Sequence, residues 1–247
     1  MPMRFSPASG SCAPHNPMRR IDAPEILDSD ACSPADVTTS MKDIGRVNRW
    51  FGGVSTTRKM VERAAQATGL KHLSLLEVAA GSGEVPQIVQ RKLARRAIRL
   101  DVTLLDRARS HLPSGTSAVV GDALGLPFRD EAFDLVSCIL FAHHLDPRQL
   151  AEFVREGLRV SRRALLINDL VRHPMHLALA FAGFPLMRSR VAWRDGLTSV
   201  RRAYVEDEIH GFVRTAFPVE AAPQIEIFRS YLFRMGVIVW KSDSARK

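Results

Sequence analysis

The chain has 247 residues, 46% of them hydrophobic and 25% charged, with 15 glycines and 14 prolines. That length and core content suit one α/β domain with a tail and exclude a chain of low complexity throughout. The formal charge of +9 favours anionic partners at long range. The arginines are scattered, however, with Arg91, Arg95, Arg96 and Arg99 on one segment and Arg201 and Arg202 on another, and no aromatics interleave with them. Solvated helix faces are the plain reading, and no nucleic-acid partner is expected.

The first 40 residues carry six prolines and many serines, which predicts an arm over residues 1–35, flexible unless Ile21 and Ile26-Leu27 dock it. The start, "MPMRFSPASG", lacks the apolar core of a secretory signal, so a cytoplasmic location is expected. Cys12, Cys32 and Cys138 have no metal-ligand spacing and cannot all pair within the chain; a reducing compartment suits them, and no metal site is expected. Residues 36–70 read as helices. Ser33 or Asp36 caps the first, "RWFGG" ends it, and a second carries Met60, Val61, Ala64 and Ala65 on one face until Gly69 stops it.

From residue 71 the pattern alternates. "LSLLEVA" reads as a strand, a helix starts at Pro86, and "IRLDVTLLD", "TSAVVGDA" and "AFDLVSCILFA" read as three more strands. "LAEFVREGLRV" is a helix and "RALLIND" a fifth strand. Such alternation implies a mostly parallel, doubly wound sheet with helices on both faces. A helical insert over about 171–215 follows, with "SVRRAYVEDEIHGFVRTA" as one amphipathic helix. "QIEIFRSYLFRMGVIVWK" closes the chain as a hairpin bent near Met235-Gly236, bringing the sheet to seven strands with one antiparallel to the rest.

The segment "LLEVAAGSGEVP" sits at the turn after the first strand, where backbone approaches ligand in open parallel sheets. It lacks the Gly-Lys-Ser/Thr of a phosphate loop, and Pro86 falls where a dinucleotide fingerprint needs its third small residue. A nucleoside ligand without pyrophosphate remains, and an acid at Glu77 would repel phosphate and attract a cationic group. Asp106, ending the second strand, can accept both hydroxyls of a ribose. Asp122, beyond the third strand, can accept from an adenine amino group while the Ala123 backbone donates to the ring. Each acid alone is as well explained by a solvated turn.

Taken together, "EVAAGSG", Asp106 and "GDALGLPFRDEAFDLVSCILFAHHL" closely resemble class I S-adenosylmethionine-dependent methyltransferases, nearest to those acting on quinone and polyketide-like phenols. The resemblance spans about Leu73 to Leu170 and implies a Rossmann-like α/β fold with S-adenosylmethionine as cofactor. It makes Glu77, Ala79, Gly81 and Gly83 the methionine-side loop, Asp106 the ribose ligand, and Asp122 with Ala123 the adenine contacts. The family's first loop glycine is Ala79 here, which is tolerable where φ is negative.

The resemblance further implies methyl transfer to a small aromatic, quinone or polyketide-like acceptor, with phenolic oxygen favoured over carbon. Nucleic acid or protein acceptors and a non-catalytic cofactor-binding scaffold are the alternatives. A phenol must lose its proton, and His143 and His144 in "FAHHLDP" are the candidate bases, against a purely shaping role for that loop. Asn168, Asp169 and His173 are candidate acceptor contacts, as are Arg46 and Trp50, with Asn48, on the first helix; Arg201, Arg202 and Tyr204 form a weaker set. The stretch "HPMHLALAFAGFPLM" implies a greasy pocket for a lipid-like acceptor or peripheral contact with a membrane surface, against ordinary helix packing.

Overall fold

The computed structural model describes residues 18–28 and 32–242. The expectations for residues 1–17, including Cys12, lie outside the described residues. Ser33 caps the first helix, α1 (Pro34–Trp50), by accepting from the Asp36 N–H. Gly52, at φ 88°, turns the chain into α2 (Gly53–Thr68), and Gly69 at φ 71° ends it. β1 (His72–Val78), α3 (Glu84–Ala94) and β2 (Arg99–Asp106) form the first crossover unit, followed by the short β3 (Ala118–Val120). Helix α3 starts two residues before Pro86, which occupies its first turn, where a missing N–H costs nothing.

β4 (Phe133–Ile139), α4 (Pro147–Val160) and β5 (Ser161–Leu170) form the second unit. The insert then contributes α5 (Pro174–Ala182), α6 (Arg190–Arg202) and α7 (Glu206–Thr215). The single helix expected over "SVRRAYVEDEIHGFVRTA" is thus two. The break at Ala203–Val205 is stabilised by Arg172, whose guanidinium donates to the Ala203 carbonyl and to Glu208, while Glu208 accepts from the Val205 N–H. Strands β6 (Gln224–Tyr231) and β7 (Arg234–Trp240) close the chain, and their turn falls at Leu232-Phe233, ahead of the expected Met235-Gly236.

The seven strands lie in the order β3-β2-β1-β4-β5-β7-β6; β1 to β5 are parallel and β7 runs antiparallel to both neighbours. Alternation along each strand divides the core into two layers. Leu73 and Leu75 of β1 pack with Met60, Val61, Val89 and Leu93 of α2 and α3. Leu76 and Val78 pack on the other face with Phe153 and Val154 of α4 and Ile209 and Val213 of α7. The two layers fix the sheet, so the carboxyl ends of β1, β2, β3 and β4 share one rim.

Candidate active site on the carboxyl rim of the sheet

The turn from β1 into α3 carries three left-handed residues, Ala79 at φ 53°, Gly81 at φ 51° and Gly83 at φ 64°. A Cβ at Gly83 would overlap Leu104 of β2, so that glycine lets the helix start press against the sheet. A Cβ at Gly81 would meet nothing nearer than Met41 Sδ at 3.9 Å; the space beside its backbone is open. The negative φ that would make Ala79 comfortable is not what the turn adopts. Its Cβ is held where an L-residue pays about 1–2 kcal/mol.

Asp106 joins this turn to β2. Its Oδ2 accepts from the Gly81 N–H and its Oδ1 from the Ala108 N–H, both at 2.9 Å. Burial pushes the carboxyl up, but hydrogen bonds from His111, Ala108 and Gly81 outweigh it and hold the group ionised, below the ordinary carboxylate value. Oδ1 also faces His111 Nδ1 at 3.4 Å, and Oδ2 keeps a second lone pair for a hydroxyl donor. Gly121, beyond β3, donates to the Asp106 carbonyl, which brings Asp122 alongside. Asp122 is exposed and uses Oδ1 to cap its own turn at the Leu124 N–H, leaving Oδ2 for another donor; Ala123 is half-buried beside it.

Glu77 is placed differently from the sequence reading. It points into the layer under α2 and α3, only 1% exposed, and accepts from the Ser137 hydroxyl of β4. Burial pushes its pKa up to about 8, against the smaller opposing pull of Ser137. The carboxyl is therefore mostly protonated at neutral pH and neither repels a phosphate nor attracts a cation there as a full charge would.

Helix α1 lies against the glycine turn. Met41 approaches Gly81, Gly45 faces the Glu84 carboxylate, and Arg49 pairs with Glu84, one helical face in steps of four. Sequence reasoning chose other residues of this helix. Arg46 pairs with Asp43 and reaches the Leu186 carbonyl at 3.4 Å, on the side of the insert. Trp50 is 60% exposed. Asn48 is buried and accepts from the Arg234 guanidinium at 2.9 Å.

The expected base His143 is 1% exposed. Its Nδ1 is 2.7 Å from Asp169 Oδ1, and its Nε2 faces Glu25 Oε1 at 3.4 Å. Burial alone would push its pKa down, but Asp169 and then Glu25 overcome this and raise it to about 9. An imidazole that already holds its proton at neutral pH, sealed between two carboxylates, is not free to take one from an acceptor; this corrects the sequence expectation. His144, with a side chain 22% exposed, lies 3.1 Å from Asp28 Oδ1.

Asn168 and Asp169 were expected at the acceptor, and both are occupied elsewhere. The Asn168 amide donates to the Gly53 carbonyl and Thr57 hydroxyl at 2.8 Å, tying β5 to α2. Asp169 accepts from the His143 N–H as well as facing its ring. His173 is exposed, caps α5 by accepting from the Met175 N–H, and stacks on Phe233. Arg202 and Tyr204 turn inward and bind the carbonyls of His143, His144 and Leu145. Arg201 is exposed.

Sequence reasoning left open whether the arm docks and did not show through which groups. Arg20 donates to the carbonyls of Arg202, His143 and Leu145 and lies 4.3 Å over the Tyr204 ring. The Ile26 and Leu27 N–H groups donate to Asp195, and Ser199 donates to Glu25. Residues 18–28 therefore dock through polar groups, with Ile26 itself 36% exposed, rather than through the apolar anchors expected. A polar contact between segments so far apart leaves no periodic signal.

A cavity of about 610 Å³ lies elsewhere, between the last turns of α4 and the end of β7, lined by Arg155, Arg159, Phe217 and Lys241 among others. It contains none of the cofactor or acceptor candidates.

Residues 76–164 match the family model of a methyltransferase domain. No curated protein matches the sequence. Among solved structures, the SAM-dependent methyltransferase of Aquifex aeolicus is similar with a TM-score of 0.52 at 14% identity, over 85% of this chain and 100% of that one. The plantazolicin methyltransferase BpumL, solved with a triazolic desmethylPZN analog and SAH, is similar with a TM-score of 0.64 at 12% identity, over 85% of this chain and 92% of that one. At these identities the likeness is one of fold.

Proposed function

We propose that the chain is an S-adenosylmethionine-dependent methyltransferase and that it methylates a small aromatic, quinone or polyketide-like acceptor at a phenolic oxygen. The observation that carries the cofactor reading is the Asp106 carboxylate, ionised and bonded to the Gly81 N–H, beside a turn with open space over Gly81. A diol donates well to such a group, and a turn with so few side chains admits the methionine end. The bound cofactor supplies an electrophilic methyl group on a sulfonium whose charge vanishes during transfer. A strongly anionic wall would therefore stabilise the ground state more than the transition state. Glu77, kept mostly protonated by burial, conforms to that requirement. As the new O–C bond forms and the S–C bond breaks, the phenolic proton leaves to water; the work left to the protein is orientation, which lowers such barriers by about 7–11 kcal/mol in favourable cases.

The acceptor reading is supported by the insert. Met175, Leu179 and Phe181 of α5 and Phe184 and Leu186 beyond it are 41–63% exposed, too much apolar surface for ordinary packing to explain. Arg46 reaches the Leu186 carbonyl, so this surface adjoins the helix that covers the glycine turn. BpumL, on the same fold, is a methyltransferase of an azole compound, and a planar, weakly polar acceptor suits this chain as well. No helix among the described residues is long and apolar enough to cross a membrane.

The test is to incubate the protein with methyl-labelled S-adenosylmethionine and a panel of phenols, quinols and phenolic lipids, with RNA and a protein mixture alongside. Mass gain at a phenolic oxygen is expected. Label found only in RNA or protein would overturn the acceptor class, and a protein that does not bind the cofactor would overturn the site.

A further inference from the structure

Glu25, His143 and His144 present three ligand atoms that all lie within 4.8 Å of one another. Glu25 Oε1 is 3.4 Å from His143 Nε2, and Glu25 Oε2 is 3.7 Å from His144 Nε2. These gaps exceed an ordinary charge-assisted hydrogen bond, about 2.7–2.9 Å. They approach the separation of about 3.4 Å between two ligands of one tetrahedral ion at bond lengths of about 2.1 Å. His143 Nε2 is buried and aimed into this cluster, its neighbour there, Glu25, being at a distance too long for a good hydrogen bond, and a bound metal would take the place of its proton.

The surroundings are those of a supported ligand set. Asp169 holds His143 Nδ1 at 2.7 Å, which directs Nε2 inward as a carboxylate behind a metal-bound imidazole does. Ser199 donates to Glu25 Oε1 at 2.8 Å and fixes that carboxylate. Two imidazoles and a carboxylate form a borderline donor set, suited to zinc, cobalt or nickel and poor for magnesium or calcium, which prefer oxygen throughout.

We propose that Glu25, His143 and His144 form a site for a divalent transition metal of the zinc class, bound by the Glu25 carboxylate and both Nε2 atoms and joining the arm to the loop after β4. Rotation of His144, the least buried of the three, closes the remaining distance. Three protein ligands leave one position for water. None of the three ligands hydrogen-bonds to the glycine turn or to Asp106, and metal and cofactor binding are read by separate probes.

The experiment uses the full, tag-free chain, stripped with a chelator and titrated with Zn²⁺, Co²⁺ and Mg²⁺. One equivalent of Zn²⁺ or Co²⁺ is expected, with visible Co²⁺ bands of low coordination number, a raised melting temperature and no response to Mg²⁺. Glu25→Gln, which keeps an acceptor for Ser199, and His144→Ala should each weaken binding by more than the roughly 10–100-fold typical of losing an outer-shell partner. His72→Ala, at an exposed histidine paired with Asp101, should bind as the parent does. Absence of stoichiometric uptake by the parent chain would overturn the site, as would unchanged affinity in a folded Glu25→Gln or His144→Ala protein. Circular dichroism and calorimetric S-adenosylmethionine binding establish that each variant is folded.

Discussion

Two carboxyl groups within a few residues' reach of the same turn are driven in opposite directions by their surroundings. Asp106, bonded to two backbone N–H groups, stays charged. Asp106→Asn keeps the shape and loses the charge and one acceptor oxygen. Losing hydrogen bonds to a charged group costs about 1.5–3 kcal/mol, so calorimetry should show S-adenosylmethionine binding roughly 10- to 100-fold weaker; unchanged affinity would remove Asp106 from the ribose. Glu77 carries its proton up to about pH 8, while an unfolded chain releases it near 4.5. Its contribution to stability is thus complete below 4.5 and is lost as pH rises to about 8. Glu77→Gln should flatten that part of the pH profile, and an unaltered difference between urea midpoints at pH 5 and pH 8 would count against it. Both acids were legible as end-of-strand residues. Their charge states were not, because ionisation depends on Ser137 and on N–H groups that converge only in the folded chain.

Strand-helix alternation made the elements readable, and the seven strands follow from it. What it could not show was which polar side chains the elements use to hold one another. Asn168 follows an apolar run and so resembled a rim residue facing ligand, yet its amide ties β5 to the start of α2 and its oxygen lies 3.4 Å from Arg234. Asn168→Ala removes its two buried hydrogen bonds to Gly53 and Thr57 and its contact with Arg234, at a cost of about 2 kcal/mol. The melting temperature should fall by roughly 4–8 °C, and a drop within 1 °C would mean that α2 is held by its apolar face alone. The same blindness merged α6 and α7. Continuous amphipathic spacing suggested one helix, and the interruption depends on Arg172, 31 residues upstream in sequence yet in contact with the Ala203 carbonyl.

At the scale of the molecule, the least readable part was the arm. Proline-rich composition argued for mobility, and residues 18–28 instead run along α6 and the loop after β4, with Glu25 7% exposed. Deleting residues 1–28 would expose or unpair Asp195, His143 and Arg202 together. Breaking one buried charged pair costs about 3–5 kcal/mol, so the truncated protein should melt at least about 6 °C lower. Deleting residues 1–17 alone spares every one of these bonds. Equal melting of the 1–28 deletion and the parent would show that the docked segment adds nothing.

Arg20, Arg202 and Tyr204 grip the stretch His143–Leu145 by its peptide oxygens and ignore what those residues carry as side chains. Path and side-chain chemistry are thereby held by different partners along this stretch: the peptide oxygens rest on outside donors, while the buried His143 ring answers to Asp169 and Glu25. Replacing the half-buried His144 ring should therefore leave the course of the chain beside it unchanged, so long as the three donors remain.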